Sequence, residues 1–150
     1  MGGSEDLELF RLHRAEQSKY VYFILAAAAG GIALAVRVTS DATLHWSLAP
    51  LGAAVVCWGL SFFHGCRQLQ YVQEITRTNA EQLKVARGEH PVVGREPWKR
   101  EVAGEALKEV LERGITTAGK HYNWQFRYLV TGAVLFVSWH VLQIVLRSTP

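Results

Sequence analysis

Cysteine is scarce in this 150-residue chain, which contains only Cys57 and Cys66. The two cysteines lie in one apolar stretch that is expected to be a helix, so an intrachain disulfide would require a break in that helix. A disulfide framework is therefore excluded. Cys66 and the nearby His64 also supply too few ligands for a structural zinc site, which needs four. We predict no metal and no cofactor.

The motifs of common enzyme classes are also missing. The sequence contains no P-loop, no G-x-S-x-G, no H-E-x-x-H and no C-x-x-C, and each of these patterns places a nucleophile, a metal ligand or a phosphate cradle at a fixed spacing. Glu89, His90, Glu96 and Glu101 lie close together in the sequence, but a hydrated run of charged residues explains this grouping. We predict that the chain is not an enzyme.

Charged residues are absent from three long apolar stretches, 20–36, 42–66 and 128–146. A hydrocarbon layer about 30 Å thick is crossed by about 17–25 helical residues, so each stretch is long enough to span it. The stretches predict an all-α integral membrane protein with three transmembrane helices. The predicted parts are an N-terminal amphipathic segment that turns into the membrane (1–19), a transmembrane hairpin (20–66), a cytoplasmic helix pair (67–123), and the third span with an outer C-terminus (124–150).

The basic residues are distributed very unequally between the two sides of these spans. Fourteen of the 16 Lys and Arg residues precede the first span or lie between the second and third, and only Arg37 and Arg147 lie on the other side. The positive-inside rule then predicts a multi-pass protein of the bacterial inner membrane, with a cytoplasmic N-terminus and an outer C-terminus. The net charge of +3 is explained by this topology, so the predicted partner is the lipid bilayer and not nucleic acid.

The first stretch has two interpretations. Ala33-Leu34-Ala35 resembles a signal-peptidase site after an apolar run. The acidic N-terminal segment favours a retained membrane anchor instead. Within this span, pairs of small residues recur at the four-residue spacing that lets two membrane helices approach closely, namely Ala26 with Gly30 and Ala27 with Gly31. We predict that these residues pack against another helix.

Span two is expected to continue beyond the membrane as one helix, because residues 67–87 contain neither Gly nor Pro. Along this segment, residues of a heptad seam alternate at three- and four-residue steps: Leu69, Val72, Thr76, Asn79, Leu83 and Ala86. Such a seam needs a partner helix. Two interpretations stay open, because the seam can associate with a second copy of the chain or pack on the next helix of the same chain.

A second cytoplasmic helix is predicted from Pro97, since proline is favoured in the first turn of a helix. We expect this helix to end near Arg113, because Gly114 and Gly119 follow it and loosen the approach to span three. The helix pair at 69–111 is a possible docking surface for a cytoplasmic protein.

Histidine within the third span is the strongest indication of a functional site. An ionisable residue inside a bilayer suggests function, and His140 lies about 10 Å from the outer end of the span. With Trp139 and Gln143 it predicts a pore or gate face, whereas the alternative is a histidine that only hydrogen-bonds to a neighbouring helix. A bis-histidine haem has a single candidate pair, His64 with His121.

Four segments of the chain resemble a family of small, uncharacterised bacterial membrane proteins. They are ELFRLHRAEQSKYVYFILAAAAG from Glu8, WGLSFFHGC from Trp58, GEHPVVG from Gly88 and WQFRYLVTGAVLF from Trp124. The resemblance implies no known activity. More loosely, a hairpin of two spans that continues into cytoplasmic helices is similar to the SLATT effectors, for which the implied role is a membrane pore.

These observations lead to three functional hypotheses. The first is a homo-oligomeric pore or channel-like effector. The second is a non-catalytic accessory or scaffold subunit of a membrane complex. The third is a membrane anchor for haem or quinone, which the single histidine pair supports only weakly.

Overall fold

The computed structural model describes the backbone of residues 3–40 and 45–148, and the side chains of these ranges from residue 19 onward, except that of residue 147. Within these ranges the chain is helical and contains no strand, so the predicted all-α class is confirmed. The amphipathic side-chain pattern predicted for residues 1–19 falls on side chains that, up to residue 18, lie outside the described residues. The helices are α1 (Gly3–Val38), a short 3-10 turn (Trp46–Leu48), α2 (Ala49–Arg87) and α3 (Pro97–Ser148).

Each of the three α-helices is long and apolar enough to cross a membrane. The segments that meet this criterion are Lys19–Val38, Trp46–Arg87 and Pro97–Leu146. The shortest has 20 residues, which corresponds to about 30 Å at the helical rise of about 1.5 Å per residue.

Both glycines that were expected to interrupt the third helix lie inside it. Helix α3 is continuous from Pro97 to Ser148, so the predicted end near Arg113 is wrong. A glycine inside a helix is unfavourable by only about 1 kcal/mol relative to alanine. At Gly114 packing offsets this, because a Cβ on this residue would lie 3.1 Å from Cγ1 of Ile75. Helix α1 is likewise unbroken from Gly3, so the N-terminal segment continues directly into span one.

The chain forms two compact units. The first unit comprises Met1–Gly65 and Trp124–Pro150, and the second comprises Cys66–Asn123. In the second unit α2 and α3 run antiparallel, because Tyr71 lies against His121 at one end, with ring centroids 5.4 Å apart, and Arg100 binds the carbonyl of Val85 at the other.

The first unit is organised around Trp58, a buried residue of α2. A Cβ on Gly31 of α1 would lie 2.9 Å from three atoms of the indole ring, and a Cβ on Gly132 of α3 would lie 2.6 Å from its Nε1. The indole therefore fits between two other helices only because both carry glycine where they meet it. The remaining buried members of this core are Ala28, Ala35, Leu51, Ala54 and Trp139.

In the second unit the end of α2 is fixed by three kinds of contact. Gly88 adopts φ +72°, the left-handed conformation that favours glycine, and its N–H donates to the carbonyl of Val85 at 3.0 Å. The N–H of Glu89 donates to the carbonyl of Lys84 at 2.9 Å, which completes a Schellman motif. From α3, the guanidinium of Arg100 donates to the carbonyls of Val85 and Ala86.

The turn that follows α2 is held by His90. Its Nδ1 accepts hydrogen bonds from the backbone N–H groups of Val92 and Val93, each at 3.3 Å, and its Nε2 lies 3.7 Å from Oε2 of Glu81. Glu81 also accepts a 2.8 Å hydrogen bond from the ammonium of Lys84, and this bond, together with the positive charge of Lys84, lowers the pKa of the Glu81 carboxyl. Glu81 thus lies between His90 of the turn and Lys84 of α2.

We predict that Gly31→Ala destabilises the first unit whereas Gly30→Ala does not. The added methyl group at Gly31 overlaps the Trp58 ring, and overpacking of this kind costs about 1–3 kcal/mol. Nothing lies within 4 Å of the corresponding position on Gly30. Thermal unfolding of both variants in mild detergent measures the difference. Equal midpoints would contradict the proposed fit of Trp58 against Gly31.

We also predict that Glu81→Gln lowers the stability of the protein at neutral pH but not in acid. The pKa of the Glu81 carboxyl in the folded protein is below its ordinary value of 4.5. Such a carboxyl stabilises the fold at pH values above 4.5, and this stabilisation is lost as the pH falls through the folded-state pKa. Thermal unfolding at several pH values compares the variant with wild type. Glu74→Gln is the control, because Glu74 is exposed on the same helix and forms no ion pair within the described residues. A deficit of equal size at every pH would contradict the assignment.

Candidate functional site

The three residues of the predicted pore face occupy different environments. Trp139 is buried in the core of the first unit, His140 is exposed on its surface, and Gln143 is half-buried. Successive residues of a helix are separated by about 100°, so Trp139 and His140 point in different directions. Trp139 thus contributes to packing within the first unit, whereas His140 faces the surroundings of that unit.

Two polar side chains in this region have no hydrogen-bond partner in the part of the chain that the structure describes. The indole Nε1 of Trp139 is buried and has no hydrogen-bond partner among the described residues. The imidazole of His140 likewise forms no hydrogen bond with them, and its nearest ring neighbour is Trp139, with a centroid separation of 6.4 Å. An imidazole on the surface of a membrane-spanning helix must reach water or another protein chain, because hydrocarbon supplies no hydrogen-bond partner.

A second polar position, which the sequence patterns did not reveal, lies between α2 and α3. The hydroxyl of Ser61 donates a 2.8 Å hydrogen bond to the backbone carbonyl of Gln125, and both residues are fully buried. The side-chain amide of Gln125 lies against Gly65, where a Cβ would overlap it, and neither its Nε2 nor its Oε1 has a partner among the described residues. An unpaired buried amide is unfavourable by about 1–3 kcal/mol. Gly65 and Gln125 thus fix the contact between the two helices at the cost of an unsatisfied amide.

A stack of rings covers the surface near this position. The ring of His64 stacks on that of Tyr128, with centroids 5.6 Å apart and an interplanar angle of 18°. Tyr128 in turn stacks on Trp124 at 5.6 Å and 27°, and the guanidinium carbon of Arg127 lies 5.5 Å from the centroid of the Trp124 ring. We call these four residues the ring stack. One sequence pattern indicates this stack: Trp124, Arg127 and Tyr128 lie at helical spacing at the start of span three.

The two histidines of the proposed haem pair each stack on a tyrosine. His64 lies against Tyr128 in the first unit, and His121 lies against Tyr71 in the second, with centroids 5.4 Å apart. Among the described residues, no group of three His, Cys, Asp or Glu side chains is arranged to hold a metal ion.

Most residues of the α2 heptad seam lie outside the contact with α3. In the second unit that contact is made by buried residues such as Ile75 and Val85, the latter only 2% exposed. The seam residues lie one position further along the chain, which rotates them by about 100°, and Leu83 is 51% exposed. Val72, Thr76 and Ala86 are also exposed, and Leu69 and Asn79 are half-buried. Most of the seam is thus available to another chain.

The small residues of span one divide in a similar way. Gly31 lies against Trp58 and serves the packing of the first unit. Ala26, Ala27 and Gly30 are exposed, and a Cβ on Gly30 would meet no atom within 4 Å. Only one of the four predicted packing residues is therefore used within the chain.

Comparison of the sequence with protein-family models, with curated proteins and with solved structures gives no significant match. Function is therefore inferred from the arrangement of side chains in the two units.

Proposed function

We propose that the chain is a bacterial inner-membrane protein that associates with copies of itself and forms an ion-conducting pore between them. The observation that carries this proposal is the exposed imidazole of His140 on a helix able to span a membrane. Exposure to hydrocarbon leaves its ring nitrogens without partners, and association of several copies removes this cost. The pore-lining role of His140 and of the neighbouring Gln143 follows from such an assembly.

The packing of the first unit supports a pore between copies over one within a single chain. Trp58 and Phe136 have ring centroids 5.7 Å apart, and Phe136 and Trp139 are separated by 5.9 Å. These large rings fill the space among the three helices, and the nearby core residues are small alanines. A path for water and ions is therefore proposed along the outer surface of the helices, where His140 lies.

The exposed seam on α2 supports self-association independently. Val72 and Leu83 expose apolar side chains at heptad spacing, and burial of such a seam against a second helix stabilises a coiled coil. The half-buried Asn79 lies in the same seam, and a polar residue at such a position selects register and partner. We propose that α2 of one copy packs on α2 of another.

A second candidate function is a scaffold subunit that binds a cytoplasmic protein. It is favoured by apolar side chains on α3 of the second unit, where Trp98 is 63% exposed and Val102 and Val110 are also exposed. These residues lie outside the α2 seam. A partner on this surface is compatible with either function, so conduction decides between them.

Leu83→Glu is predicted to reduce the size of the assembly. A carboxylate in the seam has to be desolvated against the partner helix, whereas in a single chain it stays hydrated. Gln70→Glu is the matched control, because Gln70 is exposed on a different face of α2. Size-exclusion chromatography with light scattering in mild detergent gives the mass of each variant. Unchanged mass for Leu83→Glu with an intact helical spectrum would show that copies do not associate through the seam.

His140→Leu is predicted to change the pH dependence of ion leakage from liposomes that contain the protein. Histidine changes charge between about pH 5 and 8, and a positive charge at the pore wall alters cation passage. Ser138→Leu is the control, since Ser138 is exposed on another face of the same helix. Identical pH profiles for wild type and His140→Leu would remove His140 from the pore wall. A verified oligomer that does not leak would favour the scaffold function.

A further inference from the structure

The described side chains of the first unit include basic residues but no Asp or Glu. Residues 19–40, 45–65 and 124–148 contain no Asp or Glu. The ion pairs found among the described residues all belong to the second unit, such as Lys84 with Glu81 and Arg113 with Glu109. Arg127 is exposed, and within the described residues its guanidinium contacts the face of Trp124 and pairs with no acid. Among the described residues, the charge of Arg127 is therefore not neutralised.

The ring stack holds this charge in a fixed place. A guanidinium near the face of an indole is attracted by the negative charge of that face, and its N–H groups can still donate to another acceptor. Trp124 also stacks on Tyr128, which in turn stacks on His64 of α2. Two helices thus position one arginine.

The surroundings of Arg127 match those of a lipid headgroup. Trp124 is 46% exposed, and tryptophan and tyrosine are enriched at the boundary between hydrocarbon and headgroups. Thr131 and Val134 lie one and two turns further along the same face of α3, and both are exposed. The guanidinium of Arg127 therefore lies at one end of an exposed apolar surface that runs along the span. A phospholipid has the matching order, an ionic headgroup followed by an apolar acyl chain.

We propose that the ring stack is a binding site for an anionic phospholipid of the inner leaflet. The phosphate accepts hydrogen bonds from the guanidinium of Arg127, the exposed face of Trp124 packs on the glycerol region, and one acyl chain runs over Val134. This inference rests on the proposed insertion of the chain, with the Trp124 end of span three at the cytoplasmic boundary. A zwitterionic lipid has the same phosphate, but its own cationic group neutralises it. The positive charge of Arg127 therefore favours a lipid with a net negative charge.

Native mass spectrometry of the full chain in mixed micelles tests the site, with equal amounts of phosphatidylglycerol and phosphatidylcholine. Wild type is expected to retain phosphatidylglycerol preferentially. Arg127→Gln is expected to reduce that preference about fivefold, which is the effect of one basic residue at an anionic surface. Arg37→Gln removes one positive charge at the opposite membrane boundary, and this variant is expected to leave the preference for phosphatidylglycerol unchanged.

Trp124→Leu separates the ring stack from simple charge attraction. This variant keeps Arg127 but removes the ring that positions it, so a several-fold loss of preference is expected. Equal losses in Arg127→Gln and Arg37→Gln, no loss in Trp124→Leu, or no preference in wild type would each overturn the site.

A separate control tests membrane insertion itself. Protein that is released from membranes by alkaline carbonate would contradict the proposed function, and the lipid site with it. Protein that stays in the membrane but shows no lipid preference would overturn the lipid site alone.

Discussion

The fit of one indole between two glycines determines the arrangement of the three long helices in the first unit. Trp58 projects from α2 into the space between α1 and α3, and the residues that face it there are Gly31 and Gly132. Inside a bilayer, helices gain little from burying apolar side chains, because the surrounding lipid is equally apolar. Close packing must supply the attraction instead. A large flat ring against bare backbone gives many contacts at van der Waals distance.

This packing also explains the outward position of the polar residues. The rings of Trp58, Phe136 and Trp139 lie next to one another within the bundle. His140 follows Trp139 directly in the sequence, so the burial of Trp139 turns His140 to the surface. The packing of the interior therefore places an ionisable group on the surface. In the proposed assembly this group gains a polar environment between copies, which links the core of one chain to the proposed pore.

The sequence predicted the helices well because their signals are local. Runs without charge marked all three candidate spans, and Pro97 marked the start of α3. The predicted break after Arg113 was wrong because composition does not show where a glycine faces a neighbouring helix, as Gly114 faces Ile75. The sequence also did not predict which face of α2 packs against α3. The seam lies one position further along α2 than the buried residues Ile75 and Val85, and a heptad pattern predicts that a face packs against a helix but not which helix it meets.

The contacts near Gln125 could not be predicted for a different reason. A glutamine just before an apolar span resembles an ordinary boundary residue, and its burial depends on Gly65 of another helix. The ring stack similarly joins His64 to Tyr128, which are far apart in the chain. Such pairs become visible only when the helices are placed side by side.

Thiol labelling of His140→Cys in reconstituted membranes tests the proposed pore most directly. The two native cysteines, Cys57 and Cys66, are first replaced by alanine, and Leu142→Cys serves as the control because Leu142 is exposed on another face at nearly the same depth. A water-soluble thiol reagent is predicted to label the cysteine at position 140 and to leave that at 142 unmodified. Equal protection of both positions would contradict a water-filled path between copies of the chain.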